Sequence, residues 1–135
     1  MSAMSISDDA SRLVAVGLFD SLDVYDVFLD SGANVSMWKH MDMLENVHDT
    51  TSVPTRGIDG NFVATQRGTL SGFFDVSGDR RALWNIRSLS ERKDRFNRID
   101  YKKGKYYRAW VTKSYYIEFR HRYVVFVGNM REYLE

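Results

Sequence analysis

The run Val27-Phe28-Leu29, followed at once by Asp30-Ser31-Gly32-Ala33-Asn34, constrains this chain more than any other stretch. Three consecutive bulky or β-branched apolar residues are the side chains of a buried strand, and Ser31-Gly32 is where such a strand must turn. Asp30 is thereby placed at a strand end. A carboxylate there emerges from a rigid element beside the N–H groups of a tight turn, the support that a catalytic acid or base needs. Taken alone, the same residues describe a hairpin that ends in a solvated aspartate, and the rest of the chain decides between the two readings.

Upstream, residues 1–10 are small and polar and read as a disordered leader. Apolar residues at 13–16 read as a first strand, with a turn at 17–23 and a second strand at 24–29 that delivers Asp30 to the domain centre. Met37, Trp38, Met41 and Leu44 recur at spacings of three and four, which predicts a short helix or turn over 36–46. Strands are expected at 50–53 and 62–74, flanking the turn residues Gly57, Asp59, Gly60 and Asn61. Asp59-Gly60 is a strong hairpin signal, because glycine takes the positive φ that a tight turn demands. The segment 77–79 is read as a further turn. Ile86, Leu89 and Phe96 then fall on one face of a short helix whose other faces carry Arg87, Arg92, Lys93 and Arg95. From 98 onward the pattern is a meander of short antiparallel strands at 99–101, 106–112, 115–119 and 123–127.

Asp30-Ser31-Gly32-Ala33 behind three apolar residues resembles the active-site motif of retropepsin-like aspartic proteases. Arg56-Gly57-Ile58-Asp59-Gly60-Asn61 resembles the tip of that family's flap hairpin, and Arg67-Gly68-Thr69-Leu70 its returning strand. Asn85-Ile86-Arg87-Ser88-Leu89-Ser90 is similar to the segment of copia-like retrotransposon proteins that packs against the catalytic loop, with Arg87 where those relatives usually carry a second aliphatic residue. The resemblance covers roughly Leu13 to Tyr101. Beyond it, the chain through Phe126-Val127-Gly128-Asn129-Met130 resembles the segment that joins protease to integrase in copia-like polyproteins.

This resemblance implies a mainly β protein: a retropepsin-like closed β-barrel with one short helix, homodimeric, plus a C-terminal antiparallel strand extension. It divides the chain into a leader at 1–10, a retropepsin-like domain at 11–101 and a basic, aromatic-rich β extension at 102–135. It implies an aspartic endopeptidase that cleaves a retroelement polyprotein, with Asp30, Ser31 and Gly32 as the catalytic motif. Ala33, Asn34, Gly57, Ile58, Asp59, Gly60 and Asn61 are then the substrate-binding residues. Asp-Ser-Gly occurs once, so the second carboxylate must come from a second copy of the chain. No cofactor and no metal are implied, and the setting would be the cytoplasm or a retroelement particle. The rival readings are a binding or assembly module that keeps the fold without the chemistry, and an RNA-binding β domain.

Composition narrows the field from the other side. A hydrophobic fraction of 44% over 135 residues supports one folded core rather than a disordered chain. No apolar run approaches the length of a membrane-spanning helix, so no membrane partner is expected. The absence of cysteine excludes disulfides and thiolate metal sites, and His40, His48 and His121 have no ligand spacing. Asn34-Val35-Ser36 matches a glycosylation sequon, but residues 1–10 lack the basic n-region of a secretory signal, so it is not expected to meet the machinery. Charge is divided along the chain: residues 1–79 hold 4 Lys/Arg and 12 Asp/Glu, whereas residues 80–135 hold 15 and 6. Complementary faces of one domain or dimer account for this division. A basic surface for nucleic acid is the sharper and less favoured alternative.

Overall fold

Strand β1 (Asp26–Asp30) owes its unbroken apolar run to burial on both faces. Val27 and Leu29 enter one hydrophobic cluster with Trp38, Leu70 and Phe119, while Phe28 enters a second with Met37, Ile86 and Val127. The computed structural model describes residues 18–30, 32–57, 60–70, 74–88, 98–110, 114–122 and 125–134. After β1 come β2 (Met37–Trp38), β3 (Glu45–Gly57), β4 (Gly60–Leu70), β5 (Phe74–Gly78) and β6 (Ile86–Ser88). They are followed by β7 (Ile99–Lys102), β8 (Tyr106–Trp110), β9 (Tyr116–Arg122), β10 (Val125–Asn129) and the single-turn helix α1 (Arg131–Leu134). Strands make up 62% of the described residues, and no helix among them reaches seven residues. None is long and apolar enough to cross a membrane.

All ten strands lie in one sheet, ordered β3-β4-β5-β2-β6-β1-β10-β9-β8-β7. Two pairings are parallel, β1 with β6 and β2 with β5, and the rest are antiparallel. The expected closed barrel is not formed: the sheet is open, with β3 and β7 at its two edges. The reason lies in β10, which pairs along β1 from Asp26↔Asn129 to Leu29↔Phe126 and so extends the sheet outward through the C-terminal meander. The sheet therefore runs through the boundary expected at 101–102. Gly128 permits the close approach of β10 to β9, since a methyl group there would stand 2.9 Å from Ile117 Cγ2 and 3.0 Å from Phe119 Cδ1.

Local departures from expectation have local causes. The segment expected as a helix or turn at 36–46 holds β2, a 3-10 turn at Met41–Met43 and the start of β3, because Met37 and Trp38 point into opposite clusters as strand neighbours do. Ser77 and Gly78 do not turn; they pair with Arg67 and Gln66 of β4, and the turn follows at Asp79, whose carbonyl accepts from Ala82 N. Ile86 opens strand β6 rather than a helix, and the remainder of that expected helix lies outside the described residues, as does the strand expected at 13–16. In the C-terminal meander the strands fall close to their expected places. Gly104, at φ +72°, lies in the β7–β8 turn.

Candidate active site

Asp30 ends β1 between two neighbours, with Ser88 of β6 opposite it in parallel register. Its Oδ1 accepts a hydrogen bond from Gly32 N at 2.8 Å, an Asx-type turn in which the carboxylate organises the backbone that follows it. Ser31 lies outside the described residues.

The loop after Asp30 is fastened to β6 by hydroxyl groups. Ser88 Oγ donates to Ala33 O at 2.6 Å, and Ser36 Oγ accepts from Ser88 N and from Arg87 Nη1, both at 2.9 Å. Ser36, Arg87 and Ser88 are all buried. Arg87 thus reaches under the loop and holds it. Just before β6, Asn85 ties the other end of β1. Its backbone oxygen accepts from Phe28 N, its Nδ2 donates to Val24 O and Asp26 O, and its Oδ1 accepts from Lys39 N and His40 N. The Trp84 indole adds a bond to Asp26 O at 3.0 Å.

The hairpin β3–β4 meets this loop through Asn34. Asn34 N donates to Arg56 O at 3.0 Å, Asn34 Nδ2 donates to Pro54 O at 2.8 Å, and Arg56 N donates to Asn34 Oδ1 at 2.7 Å. Asn34 is therefore a strut between the Asp30 loop and the hairpin, where the sequence reading made it a substrate contact. From Val53↔Ala64 the hairpin stays in register through Arg56↔Asn61 to Gly57↔Gly60, which places these four expected flap residues at its end. Ile58 and Asp59, between them, lie outside the described residues. The structure thus brings Asp30, Gly32, Ala33 and Asn34 together with the Pro54–Arg56 arm of the hairpin.

Ser36 and Asn85 are positioning residues that the sequence reading did not assign. A hydroxyl immediately before the apolar pair Met37-Trp38 was the available signal, because a buried polar group must find partners. Charged groups elsewhere form their own pairs. Burial pushes the Asp79 carboxyl up, but hydrogen bonds from the Arg81 side chain and backbone hold it below the ordinary range. At the far end of β1, the bond from the Arg131 guanidinium at 2.7 Å lowers Asp23, against slight burial and with help from Tyr25 N and the Asn129 amide. No cluster of three His, Cys, Asp or Glu able to hold a metal ion occurs among the described residues. Comparison with protein-family models, with curated proteins and with solved structures found no match to this chain.

Proposed function

We propose that this chain is an aspartic endopeptidase of the retropepsin type that acts as a homodimer on a retroelement polyprotein. The observation that carries the reading is the support of Asp30. It ends a doubly buried strand, its carboxylate binds the backbone of the next turn, and the following loop is fastened to a parallel strand by three buried hydrogen bonds. Such support suits a carboxylate whose position matters for chemistry.

Peptide hydrolysis of this type needs two carboxylates sharing one proton, because like charges about 3 Å apart do not both ionise. One Asp30 acts as general base on the attacking water. The Asp30 of a second copy, protonated, polarises the scissile carbonyl. Ser31 steadies the two loops across the dimer, and Gly32 keeps the approach clear of side chains. The β3–β4 hairpin lies against an extended peptide and pairs with it as an added strand.

Cleavage by the purified protein of a diverse peptide library, across roughly pH 4 to 7, tests this reading. Activity should be bell-shaped in pH, since both the doubly ionised and the doubly protonated pair lack one partner in the reaction. Asp30→Asn should abolish it while leaving the dimer intact. A folded wild-type dimer that cleaves no member of the library transfers the case to the assembly module.

A further inference from the structure

We propose that the outward face of β7–β8–β9 binds single-stranded nucleic acid, independently of any peptidase activity. Side chains of one face recur every second residue along a strand. The register Asp100↔Arg108↔Glu118, with Lys102↔Tyr106↔Arg120, therefore puts Arg98, Lys102, Tyr106, Arg108, Trp110, Tyr116 and Arg120 on one surface. The opposite surface of the same strands carries Ala109, Ile117 and Phe119 and is the hydrophobic core.

The outward face carries an unbroken row of rings and guanidinium groups, with Trp110 and Tyr116 tilted 57° to each other. Arg98 lies 4.2 Å over Trp110, the Trp110 and Tyr116 rings are 4.9 Å apart, and Arg108 lies 4.9 Å from Tyr116 and 4.2 Å from Tyr106. Planar cations and aromatic rings in one plane-following row are the surfaces on which unpaired bases stack. The two acids of this face hold the row together: Asp100 accepts from the Trp110 indole and pairs with Arg98, and Glu118 pairs with Arg108 and Arg120.

Charge selects the occupant. The face itself holds Arg98, Lys102, Arg108 and Arg120 against Asp100 and Glu118, so it keeps a net positive charge after its internal pairs are made. The Arg98 and Arg120 side chains stay 60% and 65% exposed, and Lys102, Lys103 and Lys105 project from the adjoining strand end and turn. A polyanion with π faces fits both features. An acidic peptide fits only the charge. A duplex offers phosphates but keeps its bases stacked on one another.

The test is titration of the full chain with a fluorescein-labelled oligouridine about twenty nucleotides long, beside an RNA duplex of the same length, heparin and polyglutamate. Oligouridine should bind most tightly and quench tryptophan fluorescence. With Arg98, Lys102 and Arg120 neutralising about three phosphates, affinity should fall roughly twentyfold between about 50 and 200 mM salt. Trp110→Leu with Tyr116→Leu should weaken binding by at least roughly thirtyfold. Lys102→Gln with Arg120→Gln, which leaves the rings in place, should flatten the salt dependence, and circular dichroism confirms that each variant is folded. Equal binding of heparin or polyglutamate, preference for the duplex, or affinity unchanged in the folded ring variant overturns the proposal.

Discussion

Ser36 is the residue on which the loop after Asp30 most depends, since its single oxygen serves Arg87 Nη1 and Ser88 N at once, inside the protein. Ser36→Ala removes the acceptor from a buried guanidinium and a buried amide, so it should destabilise the fold by about 1–3 kcal/mol. Urea unfolding checks this, and a loss within error of zero would mean that the loop is held elsewhere. That the sequence exposed Asp30 and not Ser36 has a physical cause. Asp30 breaks an apolar run at a turn, which is a local signal. Ser36 matters through Arg87 and Ser88, some fifty residues away, and only the pairing of β6 with β2, at Met37↔Ile86, and with β1 brings them together.

Individual elements were legible where their pattern was local. The β3–β4 hairpin announced itself through Asp59-Gly60, and the meander through its turn residues, because such turns impose backbone angles that few residues accept. The short strands β2, β5 and β6 were missed or misread. Two to five residues carry too little periodicity to distinguish strand from helix, and pairing partners decided the outcome. Gly128 shows an element held by close approach, so Gly128→Ala should cost about 1–3 kcal/mol by driving a methyl group into Ile117 and Phe119. A thermal midpoint equal to wild type would show that β10 can shift without penalty. The chain end after β10 is held by charge: Arg131 and Asn129 bond to Asp23, and Met130 N donates to Tyr25 O. Because Asp23 is held below the ordinary carboxyl value, its contribution is complete above that value, near pH 4, and is lost as pH falls through the lower folded value. Protection of the Met130 and Arg131 amides, taken relative to their intrinsic exchange rates, should fall below that pH in the wild type, and Asp23→Asn should leave it low at every pH. Protection in the wild type that ignores acid would refute the charge clamp.

At the scale of the molecule, the division of charge along the sequence maps onto one open sheet. The acidic half contributes β1 to β5 and the basic half β6 to β10, joined where β1 lies between β6 and β10. Mainly β architecture was what the resemblance implied, and the strand patterns of the sequence agree with it. Closure was not legible there, because it depends on which edge the last strand chooses, a long-range contact with no local signature. The order of strands places Asp30 at the end of a central strand, with the hairpin docked beside it and a cationic aromatic face at the far edge. The central claim is that two Asp30 side chains form one catalytic pair. An experimentally determined structure of the protein from solution conditions in which it cleaves peptide measures this directly. The account predicts a two-fold dimer with the Asp30 carboxylates about 3 Å apart; an active protein whose Asp30 side chains lie far from each other and from the bound peptide would contradict it.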